Sequence, residues 1–228
     1  MTAERFRGVV AVDGPSGSGK STVSRRLADA LHARYLDTGA MYRAVTWAVL
    51  QAGADPHDAD AVVKVLADVR LDVVTDPLAP SISVNGTVVD GPIRGPEVTG
   101  SVSAVAAVPA VRTALVDRQR RIIGGDDRDT GIVVEGRDIG TVVAPDADLK
   151  VFLTASDGER ARRRSAQDAT DAVATAADLA RRDKLDSTRA TSPLRTAEDA
   201  VVLDSTQLGI AEVVARLLDL LHAPERRS

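Results

Sequence analysis

Short apolar runs and segments of helical hydrophobic spacing take turns along most of this chain. The first run, Gly8-Val9-Val10-Ala11-Val12, predicts a strand, and Val23, Leu27, Ala30 and Leu31 behind it predict a helix from about Lys20 to about His32. Tyr35-Leu36-Asp37-Thr38-Gly39 reads as a short apolar and polar segment ending in a turn. A second helix carries Met41, Val45 and Ala48 on one face, with Trp47 beside it and Arg43 on its first turn. A third uses Val62, Leu66 and Val69 behind Asp58 as N-cap. From Leu71 to Asp90 the period changes to alternation, with Leu71, Val73, Ile82 and Val84 on one side and Asn85-Gly86 as a hairpin turn before Thr87-Val88-Val89. This predicts a small antiparallel sheet. Such a sheet does not readily extend a parallel core, so residues 70–107 read as an inserted module riding on the main domain.

Pro109 opens a long helix with Val111, Leu115 and Ile122 inward, ended by Gly124-Gly125. Gly131-Ile132-Val133-Val134-Glu135 and Leu149-Lys150-Val151-Phe152-Leu153 are further strands. Ser156-Asp157-Gly158-Glu159 is a capping box opening a helix whose first turns hold Arg160, Arg162, Arg163 and Arg164. A helix from about Asp171 to about Asp186, a strand over Ala200-Val201-Val202-Leu203-Asp204 and a helix from Ile210 to Leu221 complete the pattern, and the tail from Ala223 to Ser228 is expected to fray. Strands alternating with helices predict an α/β fold, a parallel sheet covered by helices on both faces.

At 228 residues the chain has room for one α/β domain with appendages. With aromatic residues at 2%, its core must be built from Val, Ala and Leu. The formal charge of -4 gives no net pull toward nucleic acid or an anionic membrane. The chain has no cysteine, which excludes disulfides, thiolate catalysis and Cys-based zinc sites, and His32, His57 and His222 lack ligand spacing. No stretch approaches a membrane span and no N-terminal apolar run follows a basic start, so a cytoplasmic protein is expected.

The chemistry begins at Gly14-Pro15-Ser16-Gly17-Ser18-Gly19-Lys20-Ser21, between the first strand and the first helix. A loop so placed turns consecutive N–H groups inward and cradles a polyphosphate at a helix N-terminus. Gly14, Gly17 and Gly19 allow the backbone angles and close approach this needs. Lys20 can reach the β/γ-phosphates, the Ser21 hydroxyl can ligate Mg²⁺, and Thr22 adds a hydroxyl near the α-phosphate. The competing reading, a flexible Gly/Ser turn, does not account for the strand and helix that flank it. Ligands in open parallel sheets bind outside the C-terminal strand ends, where Asp13, Asp37, Glu135 to Asp138 and Asp204 should fall. Arg43, Arg112, Arg137, Arg182 and Arg189 each stand beside a turn or helix end, and their guanidinium forks suit phosphate. Taken singly, each is as readily a surface ion-pair arginine. Glu135, ending an apolar strand, is placed to orient Mg²⁺-bound water or else to be a solvated strand-end carboxylate.

At Asp37-Thr38-Gly39-Ala40-Met41-Tyr42-Arg43 the chain resembles the bacterial cytidylate kinase family of P-loop nucleoside monophosphate kinases. Gly14-Pro15-Ser16-Gly17, Glu135-Gly136-Arg137-Asp138-Ile139-Gly140-Thr141, the Arg182 to Arg189 stretch and Leu203-Asp204-Ser205-Thr206 carry the same resemblance, which covers nearly all of the chain. It implies a core of residues 1–37, 108–155 and 190–228, an NMP-binding region with the inserted module at 38–107, and a lid with its following helix at 156–189. The implied reaction moves the γ-phosphoryl of ATP to CMP, and to dCMP, with Mg²⁺, in a monomer. By the same resemblance Lys20, Arg137, Arg182 and Arg189 are catalytic, and the loop from Gly14 to Thr22 binds ATP with lid arginines Arg160 and Arg164. Thr38 and Arg43 hold the acceptor phosphate, and Ser103, Arg112 and Asp138 surround the pyrimidine. Arg137 and Arg182 reach phosphates, Asp186 takes ribose hydroxyls, and Arg189 bridges toward the transferred group. Ser21, and Glu135 through water, serve the metal. Thr38 stands where serine is common and Glu135 where aspartate is common; both keep the functional group.

The chemistry is consistent with that list. An NMP acceptor already carries an anionic oxygen, so no strong base is needed and neutralising two polyanions dominates, in a site closed to water. A kinase of other base preference, for UMP or AMP, is the alternative. A GTPase-like switch would need an Asn-Lys-x-Asp signature, and Lys20, Lys64, Lys150 and Lys184, the only lysines, never follow Asn. Nucleic-acid binding through Arg118–Arg121 and Arg160–Arg164 is disfavoured by the acidic balance and scarce aromatics.

Overall fold

A computed structural model describes residues 6–125, 130–168, 172–189 and 191–222. Its main sheet has the order β2-β6-β1-β7-β8, every pairing parallel. The strands are β1 (Val9–Asp13), β2 (Arg34–Asp37), β6 (Ile132–Gly136), β7 (Leu149–Thr154) and β8 (Val201–Asp204). Alternate residues of β1 feed two cores. Val10 and Val12 pack with Val23 and Leu27 of α1 (Lys20–Ala30) and Val213 and Leu217 of α8 (Ile210–His222). Ala11 faces the opposite side, toward Met41 and Val45 of α2 (Thr38–Gln51) and Val111 and Leu115 of α5 (Pro109–Ile123). Burial on both faces explains why these strands read as unbroken apolar runs.

The small sheet, β3 (Leu71–Val74), β4 (Ser81–Val84) and β5 (Thr87–Val88), is antiparallel, with Leu71 opposite Val84 and Val73 opposite Ile82. Asn85 (φ 50°) and Gly86 (φ 81°) both take positive φ, the requirement of the two-residue hairpin turn that matches strand twist. Leu71, Ile82, Val84 and Ile93 join the α2 core, so the module is anchored by its own apolar face. α3 (Ala59–Leu66) has the expected cap, with Asp58 accepting from Asp60 N at 3.0 Å and Ala61 N at 3.2 Å; Val69 lies beyond its end.

Four details depart from the sequence reading. α2 begins directly after β2, so Thr38-Gly39 is its first turn rather than a loop; Asp37 caps it by accepting from Ala40 N at 2.9 Å, which moves Arg43 to the second turn. Residues 92–107 form a one-turn 3-10 helix, Pro92–Arg94, and a further helix, α4 (Pro96–Ala107). The latter was not expected, because Gly100, Ser101 and Ser103 dilute its apolar pattern, although Pro96 opens it and Val98, Val102 and Val105 bury its face. A five-residue π-type turn spans Ile139–Val143. Finally, only half of the capping box forms at α6 (Asp157–Asp168). Glu159 N donates to Ser156 Oγ at 3.4 Å, but the Glu159 carboxylate is taken by Arg162 and Arg163, and Ser156 N turns to Thr206 Oγ1 at 2.9 Å. α7 runs Ala172–Thr188. The expected start of that helix at Asp171 and the tail from Ala223 to Ser228 lie outside the described residues. No single helix among the described residues is long and apolar enough to cross a membrane.

Candidate active site

The C-terminal ends of β1, β2 and β6 meet at one mouth of the sheet. β1 runs into Asp13 and then Gly14, whose φ of 147° and position leave no alternative residue: a Cβ there would stand 2.1 Å from the Leu153 carbonyl oxygen on β7. Lys20, the first residue of α1, reaches back across the loop and donates to Pro15 O at 2.7 Å. Behind the loop, the buried Asp13 carboxylate accepts from Ile139 N and Gly140 N, both at 2.8 Å, and so fixes the turn that follows Arg137 and Asp138. Burial pushes Asp13 up to about 6 against those two bonds.

Glu135 sits at the end of β6, in register with Asp37 of β2 and Val12 of β1. Its backbone carbonyl accepts from Thr38 Oγ1 at 2.7 Å, and Tyr35 OH donates to its Oε1. Its buried Oε2 has no hydrogen-bond partner among the described residues, although the Ser21 hydroxyl is near enough to favour the ionised form. Burial, then the Asp37 charge, pushes Glu135 up to about 7. Burial, then Arg137, pulls Lys20 down to about 8, so both ends of this pair are driven toward neutrality. A buried carboxylate oxygen awaiting a donor, beside a hydroxyl and a second carboxylate, suits a hydrated hard cation. Among the described residues no cluster of three or more His, Asp or Glu side chains could cage a metal. That fits an ion held by one or two protein oxygens, its own waters and substrate phosphates.

A cavity of about 180 Å³ opens beside this edge and is lined by Thr38, Arg43, Ser103, Arg112, Arg137, Asp138, Arg182, Asp186 and Arg189, every residue expected on the acceptor side. Its wall carries eight basic side chains, with Lys20, Arg94 and Arg164 added to the five expected arginines, against the four carboxylates of Asp37, Glu135, Asp138 and Asp186. On a chain of formal charge -4, that local excess marks an anion site. Arg43 donates to Ile93 O and Thr99 Oγ1, each at 3.0 Å, and burial, then Arg182 and Arg164, lowers it to about 9. Arg112 pairs with Asp138 and lies 5.2 Å from the Tyr42 ring centroid. Asp138 Oδ1 accepts no hydrogen bond from the described residues. Arg137 donates to Ser16 Oγ at 2.6 Å and pairs with Asp186 at 2.9 Å, while Arg189 stands 3.6 Å from the other Asp186 oxygen. Arg182, 7% exposed, makes no hydrogen bond or ion pair with the described residues, and burial, then Arg137, lowers its pKa.

On the other side of the loop a larger cavity, about 990 Å³, is lined by the Gly17 to Thr22 turn, Arg163, Arg164 and the Ser205-Thr206 segment. The two arginines that the resemblance assigns to ATP separate here. Arg164 lines both cavities, whereas Arg160 packs behind the loop, donating to Ser16 O at 2.9 Å and pairing with Asp183 and Asp157, and lines neither. Arg163, which the sequence did not distinguish from its neighbours, fastens α6 to the loop through Ser18 O at 3.3 Å and to the segment after β8 through Ser205 O at 2.7 Å. Asp183, also missed, sits three residues before Asp186 on α7 and faces Arg160 and Arg137.

Known proteins carry the same arrangement of sequence. The chain is 55% identical over 219 residues to a cytidylate kinase of Mycolicibacterium paratuberculosis, covering 94% of this chain and 95% of that protein. It is 54% identical over 215 residues to a cytidylate kinase of Rhodococcus jostii, covering 92% and 93%. An uncharacterized protein from Eubacterium ventriosum superposes with a TM-score of 0.54 at 10% identity, over 94% of this chain and 98% of that one, which bears on the fold alone. The cytidylate kinase family profile matches residues 10–223, from the strand before the phosphate loop to the end of the last helix. With the profile spanning residues 10–223 and relatives more than half identical over more than nine-tenths of its length, the chain belongs to the cytidylate kinase family.

Proposed function

We propose that this chain phosphorylates CMP, and dCMP, from Mg-ATP, acting as a cytoplasmic monomer. The observation that carries the reading is Arg182: a nearly buried guanidinium that forms no ion pair with a described carboxylate, Asp186 and Asp178 acting on it only from beyond pairing distance, is costly in the free protein and becomes favourable once a phosphate anion supplies the missing charge. Lys20 neutralises the transferred group from the loop, and Arg137 and Arg189, held near Asp186, turn toward it from the acceptor side. Arg43 holds the acceptor phosphate. The acceptor oxygen is already anionic, so these residues position and neutralise rather than abstract a proton. Ser21 and Glu135 would hold the Mg²⁺, directly and through water, and the ion supplies further neutralisation of the phosphates when bound.

Base choice rests on Asp138. Arg112 occupies Oδ2, which leaves Oδ1 to accept from the exocyclic amino group of cytosine, while Arg112 and Ser103 serve the ring acceptors. Uracil would set a carbonyl oxygen against that carboxylate. The test is ADP release with CMP, dCMP, UMP and AMP as acceptors. CMP and dCMP should dominate, and Lys20→Ala should lose turnover by about 10²-fold or more while CMP affinity stays nearly unchanged. A preference for UMP or AMP would replace the base assignment, and absence of acceptor-dependent ADP release would end the reading.

A further inference from the structure

We propose that Arg94, supplied by the inserted module, is a further catalytic residue that contacts phosphate oxygens where the donor and acceptor cavities join. The inference rests on the phosphotransfer reading above. Three cavities open around the loop: the acceptor cavity, the donor-side cavity, and a third of about 580 Å³ between α1 and the small sheet. Among the described residues only two line all three, Ser21 and Arg94. Ser21 stands in the first turn of α1, just behind the phosphate loop; Arg94 comes from the module, so the two stand on opposite structural units at one junction. The Arg94 backbone is fixed. Its N–H donates to Gly91 O at 3.0 Å, and Ile93 beside it is buried in the α2 core with its N–H on Val89 O at 3.0 Å.

The side chain, by contrast, makes no hydrogen bond or ion pair with the described residues. It also stands next to another cation. Ile93 O accepts from Arg43 at 3.0 Å, and the Arg94 charge helps lower the Arg43 pKa. A guanidinium anchored at its backbone, unpaired at its head and set against a second guanidinium is repelled until an anion arrives. The anion that fits is a polyphosphate, reached from both sides of the junction. The module thereby acquires a chemical role: it carries a positive charge to the transferred group, tied through Ile93 O to the residue that holds the acceptor.

The test is steady-state kinetics of Arg94→Ala and Arg94→Lys beside the unmodified chain, with thermal midpoints measured in parallel. Arg94→Ala should lower kcat for CMP by about 10²-fold, more than either KM rises, because the contact matters most as charge develops in transfer. Arg94→Lys should recover part of that loss, added methylguanidinium should partly rescue Arg94→Ala, and midpoints should be unchanged because the side chain is exposed and unpaired. Arg94→Ala within about twofold of the unmodified kcat would overturn the assignment. So would a loss that neither lysine nor methylguanidinium relieves, since that pattern is structural. An unmodified chain inactive toward every acceptor would instead overturn the phosphotransfer reading, and this inference with it.

Discussion

In the proposed reading Asp138 serves Arg112 and the base from one carboxylate, and Arg112 is 2% exposed, so removal of the carboxylate has two separable effects. Asp138→Ala leaves a buried guanidinium uncompensated, at a cost of about 3–5 kcal/mol in stability, and a damaged protein would lose activity with any base. Asp138→Asn is the cleaner probe. Its carbonyl can still accept from Arg112, which turns the amide NH₂ toward the base, where it repels the cytosine amino group and donates to the uracil carbonyl. The expected outcome is a fall of about 10-fold or more in the CMP/UMP ratio of kcat/KM, from about 1–3 kcal/mol of lost discrimination. An unchanged ratio in a folded Asp138→Asn enzyme would remove Asp138 from base recognition. At this scale the sequence exposed residue types well but not their partners. Arg160, Arg163 and Arg164 look equivalent along the chain, and only the packing of α6 against Asp183 and Ser205 sends the first behind the loop and ties the second to it.

Among the elements, β1, the phosphate loop and α1 were legible because each signal is local: an apolar run, glycines at fixed spacing, then helical periodicity. The small sheet was legible for the same reason, through alternation and Asn85-Gly86. α4 was not, since its helicity is imposed by burial of Val98, Val102 and Val105 beneath small polar residues, a tertiary effect. Nor was Arg94, whose significance comes from cavities that meet only after folding. The local logic predicts that Gly14→Ala fails at the level of the element. Its Cβ would collide with the Leu153 carbonyl 2.1 Å away, at a φ of 147°. Backbone strain of this kind costs about 1–3 kcal/mol, and relieving the clash must shift the loop or part β1 from β7. Urea denaturation should register a loss of about 2 kcal/mol or more, and ATP binding should weaken in the protein that remains folded. A Gly14→Ala variant of ordinary stability and affinity would show that the loop conformation is not dictated by that contact.

Across the whole molecule the site's charges are held at the expense of the unliganded fold, and this has a signature in pH. Burial raises Asp13 from 3.8 to about 6 and Glu135 from 4.5 to about 7, so between about 4 and 7 the folded protein keeps protons that the unfolded chain has shed. Their stabilising contribution is complete below the unfolded values and is lost as pH rises through the folded ones. Lys20 and Arg43 shift the other way, from 10.5 to about 8 and from 12.5 to about 9. Above about 8 the unfolded chain therefore holds protons that the folded protein has released, and stability climbs again with pH. The two limbs enclose a minimum near neutrality, where buried cations and carboxylates are charged together without a ligand to complete their pairing. Urea midpoints measured without ligand should be lowest near pH 7 to 8 and higher near 5.5 and 9.5. Saturating Mg-ATP with CMP should raise the neutral midpoint most, because binding to the folded state alone stabilises it by mass action while supplying the anions those cations lack. A ligand-free profile that rose to a maximum at neutrality would mean the cleft does not strain its charged groups, and Arg182 would cease to be evidence for a waiting phosphate.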